Sequence, residues 1–175
     1  GRFVGITDRA DTYRSDLRKG VAWDVNYLGQ ITGRELKFGL GFLYQGSAYK
    51  NTHDTGADKI YMHYMAPQVA LTMVQKHYQL QFSGGIGYQL YRDKSTVYDK
   101  PRKVTMSKFA GNLSLSGEYF LSSHWGASAR VNWLASSSES YSVKYHNVEW
   151  DVESPRAGSG YFGQLSLLFG LNYHF

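Results

Sequence analysis

The C-terminal 15 residues of the chain, Tyr161–Phe175, alternate between two kinds of side chain. Most odd-numbered positions carry a large apolar residue, and most even-numbered positions are polar or small. This period of two is typical of a β-strand whose two faces meet different surroundings. The run is much longer than an average strand of about five or six residues, whereas about 9–11 tilted residues cross the hydrocarbon core of a bilayer. The pattern therefore predicts a strand that crosses a membrane.

Six earlier segments show the same alternation and predict six further strands. They lie at residues 20–28, 36–45, 65–73, 78–90, 112–121 and 125–133. An eighth, shorter strand is predicted from Arg2 to about Thr7, because an odd number of strands would leave the two termini on opposite sides of the sheet. Aromatic residues, which suit a pleated surface, make up 16% of the chain. The chain is therefore predicted to be all-β.

The segments between the predicted strands alternate in length. Short connections are expected at 29–34, 74–76 and 121–123, and long polar ones at 8–19, 48–59, 92–103 and 139–159. Short turns on one side and long loops on the other characterise membrane barrels. Each unsatisfied backbone group costs several kcal/mol in hydrocarbon, so no open sheet edge is expected there. The sequence therefore predicts a single domain, residues 1–175, folded as a closed antiparallel eight-stranded up-and-down transmembrane β-barrel.

The composition of the two faces predicts that the apolar face points outward. The polar faces are rich in Gly, Ser, Asn and Gln, which fit the narrow interior of an eight-stranded barrel. Aromatic residues lie toward both ends of the apolar faces, as they do at the two interfaces of a membrane. The mean hydropathy is −0.43, which agrees with strands that expose only alternate residues to lipid. No apolar run is long enough to predict a membrane helix.

Charge and composition exclude several function classes. The formal net charge is +5, but basic and acidic residues are interspersed, which argues against nucleic acid as a partner. The chain has no cysteine, so disulfides, thiolate metal ligands and a cysteine nucleophile are excluded. No two histidines have the spacing of a metal site, and neither a metal nor any other cofactor is expected.

The last five residues, Leu171-Asn172-Tyr173-His174-Phe175, resemble the C-terminal signature of outer-membrane barrels. Together with the strand pattern, they make the chain similar to the small eight-stranded outer-membrane β-barrel proteins of Gram-negative bacteria, such as the OmpA transmembrane domain, OmpX and OmpW. The resemblance implies an outer-membrane location, with the long loops extracellular and both termini periplasmic. It also implies that Tyr173 and Phe175 form an assembly signal, which the barrel-assembly machinery reads during insertion.

Five charged residues are predicted to lie on the inward face of the barrel: Asp24, Lys37, Lys108, Glu118 and Arg130. Isolated charges in a narrow interior are costly and need partners. We expect Glu118 to pair with Arg130, because both lie at comparable heights above the last short turn. We also expect Asp24 to pair with Lys37. A structural polar plug is favoured over a gated pore, since eight strands leave little room for water.

An enzyme is the first alternative. The small outer-membrane barrels that the chain resembles include lipid A acylases and deacylases. These enzymes use Ser, His and an acid near the outer rim. His53, His63 and His146 are expected on that side. The same region holds further candidates: Ser138, Glu139, Ser140, Ser142 and Glu149. A catalytic set needs its members within hydrogen-bond reach, and the sequence shows no such set, so no catalytic residue is assigned.

Basic residues are most concentrated in the third predicted loop, at Arg92, Lys94, Lys100, Arg102 and Lys103. A basic rim favours contact with the phosphates of lipopolysaccharide in the outer leaflet. The sequence therefore predicts a non-enzymatic integral outer-membrane β-barrel, structural or an accessory subunit, with loops that contact lipopolysaccharide or a larger outer-membrane protein complex. A lipid A-modifying enzyme, a narrow pore and an adhesin are the alternatives.

Overall fold

The computed structural model describes residues 2–4, 20–32, 36–53, 56–97, 100–138, 140–145, 148–153 and 160–175. Its strands are β1 Arg2–Val4, β2 Gly20–Thr32, β3 Leu36–His53, β4 Gly56–Val74, β5 Tyr78–Val97, β6 Lys100–Phe120, β7 Trp125–Ser138, β8 Ser140–Tyr145, β9 Val148–Glu153 and β10 Gly160–Tyr173. Among these described residues, no helix is long and apolar enough to cross a membrane.

The strands form one antiparallel sheet in the order β1-β10-β7-β6-β5-β4-β3-β2. Strands β2 to β7 follow one another in sequence and in space, so the chain takes an up-and-down path that β10 completes. The short β8–β9 hairpin pairs with β6 through residues 102–105. The prediction of an all-β antiparallel up-and-down fold, built on seven long strands, is confirmed.

Two tight turns lie at one end of the sheet, where the sequence predicts them. Between β4 and β5, the Gln75 amide donates to the Tyr78 carbonyl at 2.8 Å. Between β6 and β7, the Leu121 amide donates to the Trp125 carbonyl at 2.8 Å. We call this end of the sheet the short-turn end.

The second and third predicted long loops are wrong, because the strands continue through them. β3 and β4 pair as far as His53 and Gly56, and β5 and β6 pair as far as Val97 and Lys100. The last predicted loop, 139–159, contains β8 and β9, and the first lies outside the described residues. The apolar pattern on the outward face ends in these segments, but backbone pairing depends on main-chain hydrogen bonds, so the strands do not end with the pattern.

Burial confirms that the apolar face of the membrane-length segments points outward. On β10, Leu167 is 61% exposed and Phe169 is 79% exposed, whereas Ser166 is 1% exposed. The other long strands follow the same rule, with outward residues that include Val25, Leu40, Phe42, Leu71, Phe82, Ile86, Leu115 and Val131. The inner face buries Thr72, Ser83, Gln89, Asn112, Ser114 and Gln164. The arrangement is the reverse of a water-soluble core.

Hydrogen bonds across the inner face show that the sheet curls. Gln45 of β3 donates through Nε2 to Ser166 Oγ of β10 at 3.4 Å, although four strands separate β3 from β10 in the sheet order. Ser47 of β3 contacts Gln164 of β10 in the same way, at 3.5 Å. The seven long strands therefore form at least half of a barrel, with the polar face inside.

The predicted first strand is described in part. Arg2–Val4 pairs with Gly163–Leu165 of β10, as closure requires. Its predicted continuation to Thr7 lies outside the described residues. Within the described part of the chain, β1 has no pairing with β2, so closure of the eight-stranded barrel stays a prediction.

Candidate functional site: an inner polar network and an outer lysine row

Four amide side chains cross the inner space of the curled sheet. Gln68 donates through Nε2 to Asn112 Oδ1 at 2.8 Å, and Asn112 donates through Nδ2 to Asn132 Oδ1 at 3.1 Å. Asn132 donates in turn to Gln45 Oε1, which joins β7 to β3. All four are at most 3% exposed. We call Gln45, Gln68, Asn112 and Asn132 the amide belt. Buried polar groups of this kind stabilise a fold when they are mutually paired.

Glu118 lies between the amide belt and the short-turn end, and it is only 5% exposed. Its carboxylate accepts hydrogen bonds from Gln79 Nε2 at 2.6 Å and from Asn172 Nδ2 at 2.5 Å. His174 Nε2 lies 2.6 Å from its other oxygen. Partners from β5 and β10 thus converge on one buried acid of β6, and this compensates the cost of taking the carboxylate out of water.

The predicted charge pairs are wrong. Arg130 does not pair with Glu118 but donates through Nη1 to Asp24 Oδ2 at 2.7 Å. The ion-pair partner of Asp24 is therefore Arg130 and not Lys37. Glu118 and Arg130 are at similar heights on neighbouring strands, but the residue directly opposite Arg130 on β6 is Ser116. The curl brings β2 across the inner space to β7, and a pairing rule based on neighbouring strands cannot anticipate that contact.

The structure places the five charged residues predicted for the inner face at buried or half-buried positions. Lys108 and Glu118 are buried, and Asp24, Lys37 and Arg130 are half-buried on the inner side of their strands. A polar cavity of about 760 Å³ lies toward the short-turn end, and its walls include Lys37, Glu118 and Arg130. Glu118 is bonded to Gln79, Asn172 and His174, and Arg130 is bonded to Asp24, which favours a structural role for this region.

Four lysines form a straight row across the outer face of β3, β4, β5 and β6. The backbone register places Lys50 opposite Lys59, Lys59 opposite Lys94, and Lys94 opposite Lys103. All four side chains are exposed, and a neighbour of each along its strand is buried on the inner face. We call these four residues the lysine row. In the backbone register, Lys144 of β8 lies opposite Lys103.

The structure places three of the five predicted basic residues on one outward surface. Arg92, Lys94 and Lys103 are exposed, and they belong to strands β5 and β6 rather than to a loop. The backbones of Lys100 and Arg102 lie in β6, but their side chains are outside the described ones. Sequence reasoning missed Lys50 and Lys59, because it assigned them to a separate loop.

A second outward row runs parallel to the lysine row and nearer the short-turn end. Tyr44 lies opposite Met65, Met65 opposite Tyr88, and Tyr88 opposite Phe109. We call these four residues the girdle row. Each lies six residues along its strand from the corresponding lysine. That constant offset on four consecutive strands is the sequence signal by which the lysine row is recognisable.

The inner face beneath the lysine row contains an apolar cluster, with Asp93 opposite Ile60 in the backbone register. Tyr49, Ile60, Met62 and Tyr91 pack together, and each is at most 7% exposed. Here the outer face is charged and the inner face is largely apolar, which inverts the pattern found nearer the short-turn end. Such an inversion is expected where strands pass from hydrocarbon into water. Burial raises the pKa of Tyr49 to about 12, so its phenol stays uncharged at neutral pH.

An apolar groove of about 1000 Å³ lies on the outer face, between the girdle row and the short-turn end. Its walls include Leu40, Phe82, Leu113 and Trp133. The pairing of β4 with β5 is interrupted over residues 66–68, where Pro67 has no amide hydrogen to donate. The groove and the lysine row thus lie on the same part of the sheet, the barrel wall formed by strands β3 to β6.

The histidines of the described side chains do not form a catalytic set. Tyr44 and His63 hydrogen-bond at 2.8 Å on the outer face, with their rings stacked 6.1 Å apart. His174 is bound to Glu118. The side chains of His53 and His146 lie outside the described ones. Among the residues that the structure describes, no group of three or more His, Cys, Asp or Glu is arranged to hold a metal ion.

The predicted assembly signal lies on the outer surface at the short-turn end. The Tyr173 ring packs 5.1 Å from the Trp125 ring and 5.1 Å from the Phe175 ring. Tyr173 is half exposed, and Phe175 is fully exposed. The two aromatic side chains are therefore accessible, and their role in assembly stays a prediction.

Comparison with solved structures finds a similar fold in the outer-membrane protease OmpT from Escherichia coli. The TM-score is 0.55 at 13% sequence identity, over 89% of this chain and 64% of OmpT. This chain thus spans less than two thirds of the length of that protein. At this identity the likeness shows the fold alone. No protein-family model and no curated protein matches the chain.

Proposed function

We propose that this chain is an integral β-barrel of the bacterial outer membrane. The observation that carries the proposal is the reversal of burial along the long strands. Leu115, Leu167 and Phe169 are 57%, 61% and 79% exposed, while the amide belt is buried. A soluble monomer rarely exposes a continuous apolar surface of this extent, whereas lipid hydrocarbon favours it. The short-turn end then faces the periplasm, and the long hairpins face the outside.

The proposal includes closure into an eight-stranded barrel. The Asp24–Arg130 ion pair and the Gln45–Ser166 hydrogen bond support it, because they bring strands from the two sides of the sheet together. β1 adds an eighth strand beside β10. Closure is also favoured physically, since open strand edges are too costly in hydrocarbon.

Within the membrane, we propose a non-enzymatic role as a structural or accessory subunit. The amide belt, the Glu118 cluster and the Asp24–Arg130 pair use the inner polar groups for mutual bonding, which argues against a conduit. The exposed Arg92, Lys94 and Lys103 support contact with lipopolysaccharide or with a larger protein complex. A small barrel of the OmpA, OmpX or OmpW type is the architecture that best fits this role.

An enzyme is the second candidate, because a protease is among the proteins with a similar fold. The candidate bases are the three histidines that the sequence predicts for the outer side, His53, His63 and His146. Their replacement by alanine is the direct test, with purified protein assayed on peptides and on lipid A. An activity that disappears in these variants, while folding is unchanged, would establish the enzyme and contradict the non-enzymatic role. A narrow pore predicts bilayer conductance that depends on Lys37 or Arg130, and an adhesin predicts binding that moves with the hairpins.

The first experiment is fractionation of cells that produce the protein. We expect it to sediment with outer membranes, to resist extraction by sodium carbonate, and to migrate faster on gels before boiling than after. Release by carbonate would overturn the membrane assignment. Gentle detergent extraction, sizing and mass spectrometry then test the accessory role. A stoichiometric membrane partner supports it, and a lone monomer with hydrolytic activity contradicts it.

A further inference from the structure

The lysine row is electrostatically unfavourable without a partner. Side chains directly opposite each other in an antiparallel pair are close enough that like charges destabilise the sheet. The row contains three such contacts in succession, Lys50–Lys59, Lys59–Lys94 and Lys94–Lys103. An arrangement of this kind is favoured when an anionic ligand lies along it and neutralises several charges together.

On the outer face of β3 to β6, no acidic residue lies in the register rows on either side of the lysine row. The register row nearer the girdle contains Ala48, Tyr61, Arg92 and Thr105. The row on the other side contains Thr52, Ala57, Thr96 and Pro101. By sequence and register, this surface of four strands carries five basic residues and no acidic one. The same register row continues with Lys144 of β8 and then Glu149 of β9. The nearest acid in the row is thus two strands away from Lys103, and we expect the counter-charge for Lys50, Lys59 and Lys94 to come from another molecule.

The height of the row above the membrane restricts what that molecule is. Six residues separate the girdle row from the lysine row, which is about 20 Å along a strand. With a strand tilt of about 35–45°, each lysine of the row lies about 15 Å above the girdle residue of its own strand. A phospholipid headgroup layer adds only about 5–7 Å to the hydrocarbon on each side. The anionic groups that meet the row must therefore project well beyond ordinary headgroups.

The row is also held in a fixed geometry. The buried cluster of Tyr49, Ile60, Met62 and Tyr91 supports the strands from the inner side. Adjacent strands lie about 4.8 Å apart, so the four lysines extend over about 14 Å. A line of cations on a supported backbone suits an extended anion with several charged groups better than a single phosphate.

The apolar groove identifies the source of the anion. It lies on the same wall as the row, at the level of the hydrocarbon, with Leu40, Phe82 and Leu113 among its walls. A ligand with acyl chains at that level and anionic groups about 15 Å higher fits both features. A soluble polyanion would use the row alone.

We propose that the wall formed by β3 to β6 binds a glycolipid of its own membrane, and that the lysine row contacts phosphate or carboxylate groups of its core saccharide. The lipid phosphates next to the hydrocarbon lie too low to reach the row. The groove accommodates acyl chains of the same molecule. This inference rests on the proposed outer-membrane location, and it specifies which part of lipopolysaccharide the barrel recognises.

The test compares two ligands on the purified protein in neutral detergent micelles. One is lipopolysaccharide with a phosphorylated core saccharide, and the other is lipid A alone. The variants are Lys94→Gln and the double substitution Lys59→Gln/Lys94→Gln. Lys76→Gln is the matched control, because Lys76 is an exposed lysine at the short-turn end. All the substituted lysines are exposed, so the variants are expected to fold, and the heat-dependent gel shift checks this.

We expect the wild-type protein to bind core-bearing lipopolysaccharide more tightly than lipid A. The double substitution should weaken binding of the core-bearing ligand about tenfold, and leave lipid A binding and the control unchanged. Delipidated core oligosaccharide should compete, and added salt should weaken binding. An equal loss with lipid A would overturn the assignment to the core saccharide. Unchanged binding of both ligands would overturn the row as a site. Failure of the wild type to insert into lipid vesicles would instead overturn the proposed membrane location.

Discussion

The ion pair between Asp24 and Arg130 offers a direct test of how the sheet curls. Asp24 belongs to β2 and Arg130 to β7, and four strands separate them in the sheet order. Their side chains meet only because the sheet folds over its inner polar face. A double-mutant cycle with Asp24→Asn and Arg130→Gln therefore measures a contact that a flat sheet cannot make.

The expected magnitude follows from the geometry. The Nη1 and Oδ2 atoms are 2.7 Å apart, and the side chains are 13% and 20% exposed. At an effective dielectric constant of about 20, charges about 4 Å apart attract by about 4 kcal/mol. Desolvation and side-chain ordering offset most of this. A charged hydrogen bond contributes about 1.5–3 kcal/mol net, so each single substitution should lower the free energy of unfolding by about 2 kcal/mol.

The assay is urea unfolding of the protein in lipid vesicles, followed by the fluorescence of its four tryptophans. We expect a coupling energy between Asp24 and Arg130 of about 1.5 kcal/mol. The control cycle combines Asp24→Asn with Lys37→Gln, and its coupling should stay below about 0.5 kcal/mol. Negligible coupling to Arg130, or a larger coupling to Lys37, would refute both the observed pair and the curl inferred from it.

Two further predictions use single substitutions with matched controls. A methyl group on Gly126 would overlap the Glu118 carboxylate, so Gly126→Ala should lower the free energy of unfolding by about 1–3 kcal/mol. Gly29→Ala meets only an ordinary contact and should be tolerated; equal urea midpoints for the two variants would contradict this reasoning. Leu115→Lys places a charge near the middle of the outward apolar band, and should make the free energy of folding into vesicles less favourable by about 2–4 kcal/mol. Ser107→Lys lies near the edge of that band, and should change the same free energy by only about 0–1 kcal/mol. No difference between these two would argue against a lipid-facing wall.

Local side-chain pattern determined the membrane-length segments of this protein. Alternation at Tyr161–Phe175 and in the upstream segments is a property of single strands, because successive side chains point to opposite faces. The choice of small polar residues for one face also determined that this face points inward, as the burial of Asn112 and Ser166 confirms. The inward direction of the charged residues, such as Lys108 and Glu118, followed from the same period of two.

The extent of the strands was decided by tertiary structure. Beyond the girdle row, Tyr49 and Ile60 are buried inside while Lys50 and Lys59 are exposed outside. The surroundings change there from hydrocarbon to water, so the apolar face changes sides. A search for continued outward hydrophobicity therefore ends the strands too early, and it assigns paired residues to loops.

The partners of the inner charges and the assembly of the outer lysines were likewise decided only by the tertiary structure. Asp24 meets Arg130 because the sheet curls, and a contact between strands that are distant in sheet order leaves no periodic signal in the sequence. Lys59 and Lys94 become neighbours because β4 and β5 continue in register beyond the membrane segment. Within the membrane-length segments, sequence alone determined which residues face which medium, since that depends on one strand and its solvent. Which residues touch depends on register and curvature, and these are properties of the whole sheet.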